Sequence, residues 1–446
     1  MPAEVLRGPV LPGWERTTLG EIVRRGGGHV QTGPFGSQLH ASDYVPSGVP
    51  SIMPVNIGDN RIIEDGIARI AEADAERLSR HRVRAGDIIY SRRGDVERRA
   101  LVRPEQEGWL CGTGCLKVRL GDGGVDPKFA SYYLGHPEVR AWIVRHAVGA
   151  TMPNLNTSIM EAVPFLFPPP VQQRALACIL WALDEKIELN RRMIQTLETM
   201  ARAIFESWFV NFDPVRAKAE GRAPSVPKQV ANLFPASFVK SELKEIPNGW
   251  SVGTLGEVAD NPRRGVAPSE IEPSTPYLGL EHMPRRSIAL SNWGHADSLE
   301  SNKFGFKQGE ILFGKLRPYF HKVGIAPVNG VCSTDILVVA PKKPEWFGFV
   351  LGHVSSSDFV EHTNAGSTGT KMPRTSWQEM ARYKLALPPE RIAARFSELA
   401  SPVAERITAG IFQSHTLAAL RDALLPKLIS GELQVSDADR IVRRCA

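Results

Sequence analysis

The chain has 446 residues, of which 42% are hydrophobic and 23% charged, and its formal net charge is +6. This length allows two or three domains, and the composition is ordinary for a globular protein. Residues 1–4 do not resemble a signal peptide, and no apolar run approaches the roughly 18 residues of a membrane span. We therefore expect a cytoplasmic protein.

One segment carries as much net charge as the whole chain. Residues 77–103 contain nine arginines against Asp87, Asp95 and Glu97. Such a cluster is typical of a surface that binds a phosphate backbone. The alternative is a solvated face with scattered charges.

Four segments recur in the same order, which indicates a duplicated unit. Their offsets fall from 236 to 220 residues: 13–22 with 249–258, 84–92 with 307–315, 111–118 with 332–339, and 152–153 and 167–169 with 372–373 and 387–389. A period this long is a domain duplication and not a solenoid of short repeats. Each copy begins with about 150 residues rich in Gly, Pro and short β-prone runs, which predicts a mixed α+β globule.

A long helix is predicted to follow the first globule. Its apolar residues step by four and three, the 3.5-residue average of a coiled-coil seam: Leu176, Leu180, Leu183, Ile187, Ile194, Leu197, Ala201, Ile204 and Trp208. Asn190 interrupts this stripe. It is either buried in the seam, where a polar residue fixes the register, or exposed beside it. The segment 212–214 should stop the helix, and prolines punctuate the linker that follows.

The second copy also ends in a helical region, beginning near Glu390. Ser401 and Pro402 are predicted to interrupt it and to start a new helix, whose apolar stripe runs through Ile407, Ile411, Leu417, Leu420, Leu424 and Leu428. Two long striped helices in one chain most simply pack antiparallel. The predicted organisation is a first domain at 1–168, a central helix at 169–213, a linker at 214–246, a second domain at 247–388, a helical region at 389–433 and a tail at 434–446.

The chain contains no recognisable catalytic motif. Gly309–Lys315 nearly fits a phosphate-binding loop, but Leu316 replaces the hydroxyl residue that holds Mg²⁺, and the segment is predicted to be a strand. Cys111 and Cys115 have no second ligand pair for zinc and are predicted to be buried thiols. Two similar globules that carry cations and are joined by helices instead suggest a protein that binds an asymmetric, two-part DNA target.

Over about residues 11–435 the chain resembles the specificity (S) subunits of type I restriction–modification enzymes. The resemblance is strongest at 197–218, LETMARAIFESWFVNFDPVRAK, and at 416–433, TLAALRDALLPKLISGEL. Segments 33–37 and 86–89 are similar to motifs of that family's target-recognition domains. Pro426 departs from ideal helical chemistry and should kink the last helix.

The resemblance implies a fold and a set of partners. It implies an α+β protein in which two similar mixed α/β target-recognition domains are separated by two long antiparallel helices that form a coiled-coil spacer. Each domain would bind one half of a split DNA target. The helices would dock two modification (M) subunits that carry S-adenosylmethionine, and restriction (R) subunits would be a further partner. This chain would bind no cofactor and catalyse no reaction. The alternative is a scaffold whose two duplicated domains bind proteins.

The candidate DNA-binding residues lie at strand ends and in two equivalent polar loops: Arg92, Arg93, Thr151, Asn154, Lys315, Arg317, Tyr319, Ser367, Thr368 and Lys371. Cations and small hydroxyl residues are suited to phosphate oxygens and base edges. The alternatives are salt bridges on an exposed sheet face for the cations, and ordinary loops for the polar tracts. Tyr319 fits an aromatic core better than a DNA contact. The aromatic residues at 208–212 either dock an M subunit or close the helix seam.

Overall fold

The computed structural model describes residues 5–6, 10–149, 151–297, 299–369, 371–435 and 438–445. They form two compact units, the first from residues 1–186 with 416–446 and the second from residues 187–415. Each unit combines helices and strands, as predicted from the sequence. Two long helices each contribute one end to each unit.

The first unit contains the early strands and helices of the chain. Its strands are β1 (Glu15–Thr18), β2 (Gly27–Thr32), β3 (Tyr44–Ile52), β4 (Asp59–Asn60), β5 (Ala68–Ile70), β6 (Ile88–Ser91), β7 (Arg99–Leu101), β8 (Leu110–Cys111), β9 (Cys115–Gly121) and β10 (Pro164–Phe167). Its helices are α1 (Leu19–Arg25), α2 (Glu72–Arg77), α3 (Pro127–Tyr133), α4 (Pro137–His146), α5 (Thr157–Glu161) and the start of α6 (Pro170–Phe205).

A twisted sheet with strand order β2-β9-β6-β7-β4 lies at the centre of the first unit. Every residue of β6 is buried, which explains why this segment is a continuous apolar run and not an alternating one. A smaller sheet has the order β5-β3-β8. Cys111 and Cys115 are buried free thiols, as predicted, and burial raises the pKa of Cys111 to about 12.

The second unit repeats this plan with more strands. They are β11 (Phe238–Ser241), β12 (Lys244–Pro247), β13 (Ser251–Thr254), β14 (Ala259–Asp260), β15 (Arg264–Val266), β16 (Pro276–Leu278), β17 (Gly294–His295), β18 (Lys303–Phe306), β19 (Ile311–Gly314), β20 (Val323–Ile325), β21 (Gly330–Cys332), β22 (Ile336–Pro341) and β23 (Lys384–Leu387). Its helices are α7 (Asp213–Ala219), α8 (Lys228–Ala231), α9 (Leu255–Val258), α10 (Phe347–Val354), α11 (Ser357–Ala365), α12 (Trp377–Ala381) and most of α13 (Glu390–Ile429). Helix α14 (Ala438–Cys445) follows α13 and belongs to the first unit.

The duplication extends to strand pairing. β1 pairs with β10 and β13 with β23, both antiparallel. β6 pairs antiparallel with β9, with Ile88 opposite Val118, and β19 pairs antiparallel with β22, with Ile311 opposite Val339. The two partners therefore keep the same register in both units, which confirms that the sequence matches reflect a shared fold.

The long helices α6 and α13 pair antiparallel. In the second unit, Asn190 Nδ2 donates to Ser414 Oγ at 3.2 Å, while Ile194 packs with Ile407 and Ile411. Residues later in α6 thus meet residues earlier in α13. Asn190 is 1% exposed, so of its two possible positions the buried one, within the seam, is correct.

In the first unit the same two helices are joined by an ionic network. Arg421 on α13 bonds Asp184 on α6 at 2.7 Å and Asp59 of β4 at 2.7 Å. The Tyr132 hydroxyl donates to the other oxygen of Asp184 at 2.6 Å. The helix pair is therefore fastened to the sheet of this unit by charge-assisted hydrogen bonds.

The predicted interruption of α13 is wrong, and Leu420 of its predicted stripe is exposed. The helix is not interrupted at Ser401 and Pro402 but runs unbroken from Glu390 to Ile429, through Pro426 as well. Proline removes one helical hydrogen bond. Ala400 and Ala404, on either side of Pro402, are buried in the core of the second unit, and this packing stabilises the helix where the hydrogen bond is missing. Leu420 is 47% exposed, and Leu425 is buried, because the apolar stripe changes phase near residues 410–414.

The aromatic residues after α6 close the core of the second unit. Trp208 and Phe209 are 2% and 3% exposed, and both pack against Phe396. The helix widens into a π-helical turn at Glu206–Val210 and stops at Phe212, whose φ of 55° is left-handed. Of the two alternatives, closure of the seam is therefore correct for these buried rings. The segment 214–246, predicted as a linker, contains α7, α8, β11 and β12.

Candidate nucleic-acid interface

In the first unit, the chain leaving β6 is fastened to two loops. Arg92 N donates to Gly114 O at 2.8 Å, and Leu155 N donates to Arg92 O at 2.9 Å. Two residues further on, Gly94 N donates to Pro153 O at 3.1 Å. These bonds hold the exit of β6 beside the loop 148–155. We call this group of segments the first loop cluster.

The second unit repeats these three bonds at corresponding positions. Lys315 N donates to Asp335 O at 2.9 Å, Thr375 N donates to Lys315 O at 3.0 Å, and Arg317 N donates to Pro373 O at 2.7 Å. We call this group, around 315–320 and 368–375, the second loop cluster. All ten candidate residues except Ser367, which immediately precedes the 368–375 loop, lie within the two clusters, so the sequence matches identified equivalent places in the two units.

In each cluster one loop is closed by a bridge, and the segment that follows β6 or β19 contains a left-handed residue at the same position. Asn154 and Val148 exchange backbone bonds at 2.9 and 3.0 Å, and Arg374 and Thr368 do the same at 2.9 and 3.0 Å. Gly94 has a φ of 75°, and the equivalent Arg317 has a φ of 51°. Arg317 therefore adopts a conformation that favours glycine.

Arg92 is half-buried and has a structural role. Its Nε donates to Leu155 O at 3.1 Å, and its guanidinium lies 5.4 Å from the ring centre of Phe35. Burial, and secondarily the neighbouring Arg93, lowers the pKa of Arg92. Phe35 belongs to the predicted turn 33–37, and its side chain is 53% exposed. Arg92 thus connects that turn to the first loop cluster through a cation–π contact.

The other candidates of the first cluster differ in exposure. Arg93 and Thr151 are exposed, and Asn154 is half-buried. Within the described residues, Asn154 Oδ1 is buried without a hydrogen-bond donor. Ala150, part of the same predicted tract, lies outside the described residues. Arg93 and Thr151 are therefore the candidates of this cluster that are freely accessible to a ligand.

In the second cluster, Tyr319 does not lie in a core as the sequence favoured. It is 50% exposed, and its ring meets the edge of Phe320 at 4.8 Å. The guanidinium of Arg317 lies 5.9 Å from the same Phe320 ring, and that of Arg285 lies 4.1 Å from it. The tight turn after Arg317 pushes Tyr319 outward, and sequence spacing does not indicate this.

The polar tract of the second cluster is only partly available for contacts. Ser367 Oγ donates to Asn364 O at 2.6 Å, so its hydroxyl closes the end of α11. Thr368 and Lys371 are exposed, and Lys315 is half-buried. Thr370 lies outside the described residues. The accessible groups here are a hydroxyl and cations, which is chemistry suited to phosphate oxygens.

Arg374 is a candidate that the sequence analysis missed. Its side chain is 49% exposed, and its Nε donates to Asp335 Oδ1 at 3.2 Å. It stands 220 residues after Asn154, which was chosen, so the repeat offset alone would have identified it. The polar tract predicted for the second unit ends at Lys371, three residues before Arg374.

The arginine-rich segment 77–103 does not form one phosphate-binding patch. Arg99 is buried and its Nε donates to Ser131 O at 2.5 Å. Arg98 pairs with Asp95 at 2.6 Å, and Arg103 pairs with Glu185 at 2.9 Å. Asp74 and Glu72 likewise pair with Arg77 and Arg82. The local charge excess is therefore partly neutralised by carboxylates.

Some of these arginines line an open cleft of the first unit, with a volume of about 790 Å³. Its cationic lining comprises Arg80, Arg82, Arg84 and Arg119. Burial, followed by the charges of Lys117 and Arg119, lowers the pKa of His29 at its wall, so this histidine is neutral at pH 7. The cleft is a second positively charged surface of the first unit.

Other ligand classes receive less support. Within the described ranges, His, Cys, Asp and Glu residues form no group of three that could hold a metal ion. A search of the same residues finds no helix long and apolar enough to cross a membrane. The two loop clusters and the arginine-lined cleft remain the surfaces with chemistry for a polyanion.

Several known proteins are similar to this chain in sequence or in fold. A family model described as the type I restriction modification DNA specificity domain matches residues 49–199. The specificity subunit of the type I restriction enzyme MjaIX of Methanocaldococcus jannaschii is 24% identical over 410 residues, 89% of each chain. That of HindI of Haemophilus influenzae is 23% identical over 439 residues, covering 86% of this chain and 95% of the relative.

A solved structure supports the same fold. The S subunit of a type I restriction–modification system from M. genitalium aligns with a TM-score of 0.54 at 15% identity, covering 93% of this chain and 96% of that one. The predicted fold class and the resemblance are both confirmed. The chain is thus similar in sequence and fold to the DNA specificity subunits of type I restriction–modification enzymes.

Proposed function

We propose that this chain is the subunit that gives a type I restriction–modification complex its DNA specificity, by binding a two-part, asymmetric target. The observation that carries the proposal is the repeated loop cluster. The same three backbone bonds hold it in both units, but its outward side chains differ. Two similar clusters with different cations are suited to two different half-targets.

The partners follow from this role. Two M subunits would bind along the helices, supply S-adenosylmethionine and methylate adenine, and R subunits would add cleavage. This chain would bind double-stranded DNA in the cytoplasm, hold no cofactor and catalyse no step. Helix α6, with 36 residues, would be about 54 Å long, which is enough to span more than one DNA turn of roughly 34–36 Å.

Exposed cations on both clusters favour DNA binding over the alternative of a protein-binding scaffold. A protein that neutralises several phosphates loses affinity steeply as salt rises. Binding of a target duplex by the complex of this chain with its M subunit should therefore fall at least about 10³-fold between 50 and 200 mM salt for six or more phosphate contacts. A flat salt dependence would favour the scaffold.

Methylation mapping of genomic DNA is the decisive test. Cells that express the M partner should show a split adenine-methylated motif that disappears when this chain is deleted. Unchanged methylation would refute the proposal. Exchanging residues 12–165 for the corresponding domain of a relative should then alter one half of the motif only, since each unit carries its own loop cluster.

A further inference from the structure

Arg374 is held in a fixed orientation by Asp335. Its backbone is bonded on both sides to Thr368, with N donating at 2.9 Å and O accepting at 3.0 Å. Its Nε donates to Asp335 Oδ1 at 3.2 Å. Asp335 is itself anchored, because its carbonyl accepts from Lys315 N at 2.9 Å and its N–H donates to Ser333 Oγ at 3.2 Å. The guanidinium is thus positioned by a carboxylate in the turn before β22.

This arrangement leaves one edge of the guanidinium available. Within the residues that the structure describes, no protein group accepts a hydrogen bond from the Nη atoms of Arg374. The side chain is 49% exposed. A planar fork of donors with a fixed direction matches the N7 and O6 acceptors of guanine in the major groove. A flexible ammonium such as that of Lys371 is better suited to phosphate.

Resting on the proposed function, we propose that Arg374 recognises one guanine in the half-target bound by the second unit, and that Asp335 is its positioning residue. In the first unit the equivalent places hold Asn154 and Gly114, so that unit has neither the guanidinium nor the carboxylate here. The requirement for guanine at this position therefore belongs to one half-target only.

The test uses the complex of this chain with its M subunit. Competition binding is measured with duplexes in which each base pair of the second half-target is changed in turn. The native complex should discriminate against one changed G·C pair by about 5- to 150-fold, the range of a good bidentate contact. Arg374→Ala should abolish discrimination at that pair and keep it at every other pair, which also shows that the variant is folded.

Two matched variants sharpen the assignment. Lys371→Ala should weaken binding to all duplexes by the same factor, as loss of a phosphate contact does. Arg222→Ala, which removes another exposed arginine of this unit with its own carboxylate partner, Glu220, should leave the discrimination pattern unchanged. If Arg374→Ala behaves like either of these controls, the assignment to a base is wrong.

Asp335→Asn tests the positioning role. It should reduce discrimination at the same base pair by a smaller factor, and it should have no further effect when Arg374 is already alanine, because coupled residues are not additive. Equal losses at all base pairs would contradict this role. If the native chain confers no split motif, the proposed function itself fails. If that motif is intact and Arg374→Ala changes nothing, only this inference fails.

Discussion

Both units have the same turn just before β6 or β19, but the acid of this turn pairs with a different arginine in each unit. Asp87 Oδ2 accepts from Arg84 N at 2.8 Å, and the equivalent Glu310 Oε2 accepts from Lys307 N at 2.7 Å. Each carboxylate also binds an arginine. In the first unit this is Arg119 of β9, and in the second it is Arg264 of β15. Both units thus close the turn with an acid, but the arginine that pairs with this acid comes from a different strand in each unit.

The two loop clusters have the same backbone bonds but different side chains. Their backbone bonds are repeated, but the residues differ at equivalent positions: Arg93 and Leu316, Gly94 and Arg317, Asn154 and Arg374. The backbone bonds are thus retained in both copies, whereas the residue types at these positions vary. A duplicated scaffold of this kind can acquire two specificities without a change of fold.

The attachment of the helices to each sheet also differs between the units, and Arg421→Ala tests the stronger attachment. Arg421 and Asp184 are 12% and 14% exposed. Burial would lower the pKa of Arg421, but the charges of Asp184 and Asp59 outweigh it and the pKa is raised. Removing the guanidinium leaves the Asp184 carboxylate buried without its cation, so the free energy of unfolding should fall by about 3 kcal/mol.

Urea denaturation of the purified chain measures this loss. Arg406→Ala, at an exposed arginine of the same helix, serves as the control and should change the free energy of unfolding by less than about 0.5 kcal/mol. A loss below about 1 kcal/mol for Arg421→Ala would mean that solvent screens the network and that apolar packing alone attaches the helices.

The second unit uses a buried carboxylate for the same purpose. Glu198 of α6 is 8% exposed, and it accepts from Ser287 Oγ at 2.8 Å and from Ala289 N at 3.0 Å. Glu198→Ala would leave both donors without this partner, and we expect a loss of about 2 kcal/mol in the free energy of unfolding. Urea denaturation measures this loss as well, and an effect near zero would show that water replaces the carboxylate.

The pH dependence of Glu198 has a definite sign. Burial raises its pKa above the ordinary 4.5, although the hydrogen bonds from Ser287 and Ala289 act against this. The folded chain therefore binds this proton more tightly than the unfolded chain, and its stability falls as pH rises from 4.5 through the raised pKa. Glu198→Gln should remove this fall, measured as the free energy of unfolding of both proteins between pH 4.5 and 7. Parallel curves would contradict the raised pKa.

Periodic patterns predicted the helices well because burial follows the helix repeat. Leu176, Ile187 and Ile194, all from the predicted stripe, are buried. The same reasoning failed at Pro402, where tertiary packing overrides the local preference for a break. No local pattern contains that information.

The site was predictable in position but not in detail. The repeat offsets located both loop clusters, because the duplication preserved the backbone bonds that hold them. Tyr319 was misplaced since a left-handed turn at Arg317 directs it outward. Arg374 was missed because the tract predicted for the second unit ends at Lys371, and the residue type at the equivalent position of the first unit, Asn154, differs.

Exchange of the left-handed residue is the smallest expected effect and the most direct comparison of the two clusters. Arg317→Gly should raise the free energy of unfolding by about 1 kcal/mol, since glycine adopts φ of 51° without steric cost. The variant should nevertheless bind DNA more weakly, because a cation is lost.

The reciprocal Gly94→Arg should lower the free energy of unfolding by only about 1 kcal/mol, because no atom lies within 4 Å of an added Cβ. It should also strengthen DNA binding, because a cation is gained. Urea denaturation and duplex binding measure the two quantities separately. Unchanged duplex binding by Arg317→Gly would show that this residue does not contact DNA, and a lower free energy of unfolding would show that its side chain stabilises the fold.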